Sequence, residues 1–459
     1  MGLPGVPVES APMDLDAIFK AYDVRGRVPD QLDAEAARRI GAAFARHTGI
    51  DGIAVGRDCR TSSPYLAAAA VAGITSQGCD VLDLGMVTTD MVYYAAGALD
   101  VPGLMVTASH NPKGYNGIKL CLAGAAPVGE DSGLAEIRAM AAADAGGAGG
   151  GSVVATPILE PYLDHMLSIV QPSDVAPLRV AVDGGNGVAG VALPGLFERL
   201  PASLDPLYLE PDGEFPNHHP DPLRPENLVD LKALMRRTPA DLGIAFDGDA
   251  DRAFVIDDEV QPLPGSTVAA IVARWFLGRS PGAAVVHNLI CSKAVPETIS
   301  AAGGRPIRTR VGHSFIKKVM KETNAVFGGE HSGHYYFRDN FGADSGILAM
   351  LVLLQVLSEE GRPLSAIRRD YEPYAQSGEI NFTVSDVDAV IGRIAAAFPD
   401  AVSDDLDGLT IDMGASWFNL RPSNTEPVLR LNAEAGDTES VAALVAEVSA
   451  LVKEDHDGR

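Results

Sequence analysis

One local pattern recurs along this chain and limits what it can fold into: a short apolar strand, a loop rich in Gly, Asp or Asn, then a helical stretch. Residues 53–58 lead into an Ala-rich helix from about 64 to 77. Residues 180–187 lead into a helix near 193–200, and residues 284–288 into one near 293–301. Strands alternating with helices predict α/β units with largely parallel pairing. Three occurrences about a hundred residues apart predict three related α/β domains. Beyond residue 372 the pattern changes to a strand at 379–384, a helix at 387–398, a strand at 416–420 and a closing helix at 440–453. That is a smaller α+β unit.

The expected domain limits are therefore 1–153, 154–260, 261–372 and 373–459. The first follows Ala145-Gly146-Gly147-Ala148-Gly149-Gly150-Gly151-Ser152, whose composition reads as a flexible connection. The second falls near Pro262-Leu263-Pro264-Gly265 and the third near Glu372-Pro373.

Bulk composition narrows the partners. A chain of 459 residues is too long for one ordinary core, and 46% hydrophobic with 21% charged residues is globular. The longest apolar run, Ile347 to Leu354, falls far short of the roughly 18 residues of a membrane span and reads as a buried helix. No basic segment followed by an apolar core opens the chain, so no secretory signal is expected. Val6 stands where a myristoylation motif needs Ser or Thr. A net charge of −25 argues against a nucleic-acid partner, whose phosphates want a basic face. Cys59, Cys79, Cys121 and Cys291 are scattered with no C-x-x-C pair, which disfavours a zinc site or disulfide framework and fits a reduced, cytoplasmic setting. Any phosphorylated ligand would then need local positive charge in an acidic protein.

Four loops concentrate chemistry. Thr107-Ala108-Ser109-His110-Asn111-Pro112 follows the apolar run Leu104-Met105-Val106 and offers a serine hydroxyl as a phosphoryl carrier. Alone it reads as a polar turn before it reads as a nucleophile, and no G-x-S-x-G elbow surrounds Ser109. Lys119 follows and could return to a phosphate on that serine. Asp247-Gly248-Asp249-Ala250-Asp251-Arg252 places three carboxylates on alternate residues after the buried strand 242–246. An EF-hand is excluded, because Arg252 and Asp258 stand where Gly and Glu are required. Few carboxylates plus a phosphate oxygen suit Mg²⁺, and the Arg252 guanidinium would sit beside the same phosphate. In Gly328-Gly329-Glu330-His331-Ser332-Gly333-His334, Glu330 and Ser332 would face one side of an extended backbone and suit adjacent sugar hydroxyls. His313 and His334 are candidates for proton transfer or phosphate contact. Arg421-Pro422-Ser423-Asn424-Thr425-Glu426-Pro427 follows a strand and makes an anion cradle, supplying the positive charge that the whole chain lacks.

Together with Lys20-Ala21-Tyr22-Asp23-Val24-Arg25-Gly26 and Phe215-Pro216-Asn217-His218-His219-Pro220-Asp221-Pro222, these loops give a chain that resembles the α-D-phosphohexomutases, in particular the bacterial phosphomannomutase/phosphoglucomutase group, over nearly its whole length. The resemblance implies three mixed α/β domains of related topology and a smaller C-terminal α+β domain around a central cleft. It implies a phosphorylated Ser109, with Mg²⁺ held by Asp247, Asp249, Asp251 and that phosphoserine. The phosphoryl group would pass to mannose or glucose 1- or 6-phosphate, and the hexose 1,6-bisphosphate would be both intermediate and activator. Ser109, Lys119, Arg25, His313 and His334 would form the catalytic set. Tyr22, Arg252, Lys293, Glu330, Ser332, Arg421, Ser423, Asn424 and Thr425 would bind substrate, the Arg421–Thr425 loop taking the phosphate that is not reacting. Partners would be small phosphosugars, with no nucleic acid or membrane, and the protein a monomer or weak homodimer. Glucosamine-specific relatives carry Gly in place of Asn424, so mannose or glucose is expected. Phosphoglucosamine mutase, a Mg²⁺-dependent phosphosugar phosphatase and a non-catalytic phosphosugar-binding protein stay open as alternatives.

Overall fold

The computed structural model describes residues 14–129, 132–147, 149–422 and 428–453. The chain divides into two compact units, one of Met1–Ile158 with Asp212–Glu214, the other of Leu159–Pro211 with Phe215–Arg459.

The first unit is built on one sheet. Its strands are β1 (Val24–Arg27), β2 (Gly52–Arg57), β3 (Asp80–Met86), β4 (Gly103–Val106), β5 (Tyr115–Leu122), β6 (Ala126–Pro127) and β7 (Val153–Ala155). They lie in the order β1-β5-β4-β2-β3-β7, with β6 on β5. β2 pairs parallel with β3 and β4, while β5 runs antiparallel to β4. The helices Ala34–Thr48 and Ser63–Ser76 cover it. The first is bounded by local chemistry: the Asp33 side chain accepts from Ala36 N–H at its start, and Gly49 ends it at φ 61. Ile40, Phe44, Leu66 and Ile74 from these helices pack with Ile53, Val55, Val81, Leu104, Val106 and Ile118 from the strands into one apolar core.

The second unit holds three sheets. β8 (Arg179–Asp183), β9 (Ser203–Leu207), β10 (Leu242–Phe246) and β11 (Ala253–Ile256) lie in the order β11-β10-β8-β9. β12 (Ala284–Asn288), β13 (Arg305–Thr309), β14 (Phe327–Gly329), β15 (Tyr335–Phe337) and β16 (Ala343–Asp344) lie in the order β13-β12-β14-β15-β16. The fourth sheet is antiparallel: β17 (Ala375–Phe382), β18 (Val402–Asp404), β19 (Leu409–Asp412), β20 (Ser416–Pro422) and β21 (Leu429–Ala435). Helices Val387–Ala397 and Thr438–Lys453 pack on it through Val390, Ile394, Leu444 and Val448. The apolar run 347–354 lies in the buried helix Gly346–Glu360.

The first three sheets share a frame. In each, a strand pairs parallel with its two successors, and the second of these pairs antiparallel with the strand after it: β5-β4-β2-β3, β11-β10-β8-β9 and β15-β14-β12-β13. The expected related topology is thus present three times.

Three local expectations differ. The glycine-rich run is no free tether. Gly149 N–H donates to Ser76 O (2.8 Å) and Gly151 N–H to Thr75 O (3.2 Å). A Cβ at Gly147 or Gly151 would overlap the backbone carbonyls of Ser76 or Cys79. Glycine is required there for close approach. β7 then pairs with β3, which adds Val153–Ala155 to the first sheet. The helix expected near 193–200 spans Ala189–Phe197 and contains Pro194. The strand expected from 379 begins at Ala375, with a register shift between Gln376 and Glu379.

Candidate active site

Each of three sequence-predicted loops occupies the same place in its frame, the turn between the third strand and the antiparallel fourth. In the first unit the turn from β4 to β5 carries Ser109. This serine is 2% exposed and sits at φ 50, a left-handed conformation uncommon outside glycine. Its N–H donates to Thr107 Oγ1 (3.0 Å), and its Oγ lies 3.2 Å from His110 Nδ1. Arg25, on β1, donates from Nη1 to Asn111 Oδ1 (2.6 Å) and pairs with Asp23. Lys119, on β5, is half-buried and registers with Met105. Tyr22, half-buried, lies just before β1. β1 and β5 thus carry Arg25 and Lys119 as neighbours, and the turn with Ser109 joins β4 to β5.

In the second unit the turn from β10 to β11 carries Asp247, Asp249 and Asp251, all 0–1% exposed. One oxygen of each lies within 4.8 Å of the others, a spacing suited to holding a metal ion. The backbone is closed by neighbours: Val188 N–H donates to Gly248 O (3.0 Å), and Gly346 N–H to Ala250 O (3.3 Å). Arg252 donates from Nε to His334 Nε2 (3.0 Å) and from its backbone N–H to Asp247 Oδ1 (3.2 Å). Burial would lower its pKa, but Asp247, Asp251, Asp221 and Asp249 outweigh that and hold it above the usual value.

The turn from β14 to β15 carries Glu330, Ser332 and His334. It is not extended, as the sequence suggested. Glu330 N–H donates to His334 O (3.0 Å), Gly333 N–H donates to Glu330 O (3.2 Å), and Gly333 has φ 86. A tight reversal replaces the two-residue alternation. Glu330 is 2% exposed and accepts from Tyr336 OH and from Asn288 Nδ2 (3.1 Å). Burial pushes its carboxyl pKa up, against the lowering effect of those two donors. Ser332 Oγ pairs with His334 Nδ1 (3.1 Å). His334 Nε2 accepts from Arg252 Nε, which leaves Nδ1 as the ring nitrogen able to donate to Ser332. Asp251, His334, Arg252, Glu330 and Ser332 therefore form one connected cluster.

The other predicted residues lie elsewhere. His313 opens the helix His313–Thr323. Lys293 donates from Nζ to Asp412 Oδ1 (2.7 Å) and Gly414 O (2.9 Å), and from its backbone N–H to Glu434 Oε1 (3.0 Å). It fastens the third sheet to the fourth. Arg421 is 3% exposed within β20 and reaches Glu379 Oε2 at 3.4 Å. Ser423, Asn424 and Thr425 lie outside the described residues.

Sequence reading missed the residues that support these turns. Each frame ends its first strand in a polar anchor: Asp58 just after β2, Asp183 in β8 and Asn288 in β12. Asp58 pairs with the buried Arg60, whose guanidinium enters the Ser109 turn. Asp183 Oδ2 lies 3.0 Å from His218 Nε2 and Asn288 holds Glu330. Lys317 and Asp344 make a buried ion pair at 2.7 Å beside Asp251 and His334. Their recurrence at strand ends was the available signal.

Comparison with known proteins adds the following. Family models match in four consecutive spans: phosphoglucomutase/phosphomannomutase alpha/beta/alpha domain I over 16–145, domain II over 160–260, domain III over 264–374 and the C-terminal domain over 379–451. The chain is 41% identical over 442 residues to phosphohexose mutases of Xanthomonas campestris pv. campestris, covering 95% of this chain and 99% of that one. It is 41% identical over 433 residues to the phosphomannomutase/phosphoglucomutase of Pseudomonas aeruginosa, covering 92% of each. A crystal structure of a phosphoglucomutase/phosphomannomutase family protein from Burkholderia thailandensis superposes with a TM-score of 0.89 at 33% identity, covering 96% of this chain and 98% of that one. Among the described residues no helix is long and apolar enough to cross a membrane.

Proposed function

The chain belongs to the phosphoglucomutase/phosphomannomutase family, and on that premise we propose that it interconverts the 1- and 6-phosphates of mannose and glucose through a phosphoserine at Ser109. The sugar's free 6-hydroxyl attacks the phosphoserine phosphorus, the P–Oγ bond breaks, and the hydroxyl proton returns to Ser109 Oγ through neighbouring groups. The hexose 1,6-bisphosphate reverses in the site. Ser109 Oγ then attacks the other phosphorus, the P–O1 bond breaks, the serine proton passes to O1, and hexose 6-phosphate leaves with the phosphoserine restored. Such transfer needs positioning and charge stabilisation above all.

The observation that carries this reading is the buried trio Asp247, Asp249 and Asp251 joined through Arg252 to His334. The trio fits Mg²⁺, with an oxygen of the phosphoryl group as a further ligand. The bound ion would neutralise charge on the transferring group. Arg252, next to the trio in sequence and bonded to Asp247, would offset the negative charge gathered there. Lys119 and Arg25 in the first unit, and His313 and His334 in the second, handle protons. Among the described residues Glu330 accepts from Tyr336 and Asn288, which leaves lone pairs for the sugar 3- and 4-hydroxyls alongside Ser332. Tyr22 and Lys293 contact the substrate, and Arg421 with Ser423, Asn424 and Thr425 holds the phosphate that is not reacting. The protein acts in the cytoplasm on free phosphosugars as a monomer or weak homodimer.

The test is product analysis with mannose, glucose and glucosamine 1-phosphates plus a trace of the 1,6-bisphosphate. We expect 6-phosphates from the first two. Release of inorganic phosphate would instead make the protein a phosphatase, and preference for the third a phosphoglucosamine mutase. Ser109→Ala is expected to lower turnover by at least ~10³-fold, as loss of a nucleophile does. Near-wild-type turnover in that variant would sink the phosphoserine route.

A further inference from the structure

Arg60 is fully buried, and its guanidinium is spent on the turn that carries Ser109. Nη2 donates to the backbone oxygens of Ser109 and Asn111, each at 2.7 Å. Nη1 donates to those of Pro112 (2.9 Å) and Tyr115 (3.1 Å). Nε faces Asp58 Oδ2 at 3.2 Å. Asp58 is itself fixed, accepting on Oδ1 from Arg60 N–H (2.9 Å) and from Ser63 Oγ. Asn116, at the start of β5, ties down the same region by donating to Ser62 Oγ (2.7 Å) and Ser63 Oγ (2.9 Å).

A buried guanidinium is costly unless its donors are engaged, and here Nη1 and Nη2 each donate to two carbonyls while Nε makes the ion pair with Asp58. Four carbonyls, three from the turn and one from Tyr115 at the head of β5, converge on one cation. Ser109, one of the four residues so held, stands in the left-handed region at φ 50.

We propose that Arg60 is a positioning residue for phosphoryl transfer. By drawing the carbonyls of Ser109, Asn111, Pro112 and Tyr115 into the core, it fixes the direction of Ser109 Oγ. It also turns their lone pairs away from a phosphate dianion on that oxygen. The proposal rests on the reading that Ser109 carries the phosphoryl group. A core ion pair serving stability alone would need Asp58 but not these four carbonyls.

Arg60→Lys separates the two roles. Lysine keeps the charge and the Asp58 partner, but as a point charge it cannot span four carbonyls. Four readouts apply: melting temperature, hydrogen exchange over 109–115, phosphate on Ser109 by intact mass after incubation with glucose 1,6-bisphosphate, and steady-state kinetics on mannose 1-phosphate. We expect a folded protein with faster exchange confined to 109–115. We expect kcat to fall ~10²-fold, as for a misplacement of about 1 Å, while KM changes little. The paired variant D58N/R60Q leaves no lone buried ion and should show the same split if R60K does not fold. Wild-type kcat in either variant, or a loss that only tracks the unfolded fraction, overturns the proposal. Wild-type protein that takes no phosphate on Ser109 overturns the mutase reading itself, before any variant is made.

Discussion

The turn bearing Ser109 and the turn bearing Asp247, Asp249 and Asp251 stand at the same point of the same frame, yet they are closed with opposite charge. The first wraps its carbonyls around a buried cation, Arg60. The second holds three buried carboxylates and is closed by neutral backbone bonds from Val188, Gly346 and Ala250. One turn has its positive charge built in and suits bearing an anion; the other has its negative charge built in and suits taking up a cation. The third turn, at Glu330, is closed by neutral donors from Tyr336 and Asn288 and suits hydroxyl groups. The frame supplies a place, and the residues at the ends of neighbouring strands decide the chemistry.

The sharpest way to break this contrast is to change the charge of the second turn. Asp249→Asn should lower turnover ~10²-fold at ordinary Mg²⁺, with partial recovery at high Mg²⁺, since a bound ion supplies several kcal/mol of charge stabilisation. Stability should move the other way. Without metal, one fewer buried carboxylate relieves repulsion, so the melting temperature in EDTA should be equal or higher. The rise in melting temperature on adding Mg²⁺ should shrink. A variant that melts much lower in EDTA would mean that the carboxylates are structural.

The contrast was only half legible in the sequence. The three aspartates lie on alternate residues after a plainly apolar strand, so their shared site could be read locally. Arg60 could not be read that way, because the carbonyls it binds lie 49 to 55 residues on. The same holds for Asn288 and Glu330, 42 residues apart. Glu330 and Ser332 looked like alternate residues of an extended segment, but Gly333 in the left-handed region reverses the chain there. The run at 145–151 was misread for a related reason. Glycine permits both flexibility and close backbone approach, and only the neighbouring carbonyls of Ser76 and Cys79 distinguish the two.

The third turn is tested by Glu330→Gln. A neutral amide keeps one acceptor oxygen, so Tyr336 or Asn288 loses its partner, and the proposed sugar contact loses its charge. We expect kcat/KM to fall about tenfold, the scale of one hydrogen bond to a charged group. The stability effect has a definite sign. Burial raises the Glu330 pKa in the folded state, so ionisation disfavours folding as pH rises through that value. The variant should lose that part of the pH dependence, measured by urea unfolding across pH.

A smaller effect distinguishes the third sheet from the other two by acid sensitivity. His287, 5% exposed in β12, sits next to Asn288, the residue that holds Glu330. Burial drives its pKa down to about 4, against the favourable bond to Asn288 O and with Arg308 adding to the lowering. The folded protein therefore keeps this ring neutral, while the unfolded chain protonates near its ordinary value of about 6.5. The stability tied to the neutral ring is complete above pH ~6.5 and is lost as pH falls toward about 4. Lowering pH from 7 to 5 should cost about 2 kcal/mol through this group. His287→Gln should flatten the slope of unfolding free energy over that window, whatever its effect at pH 7. An unchanged slope would place the acid-sensitive group elsewhere and leave the third turn no more acid-labile than the other two.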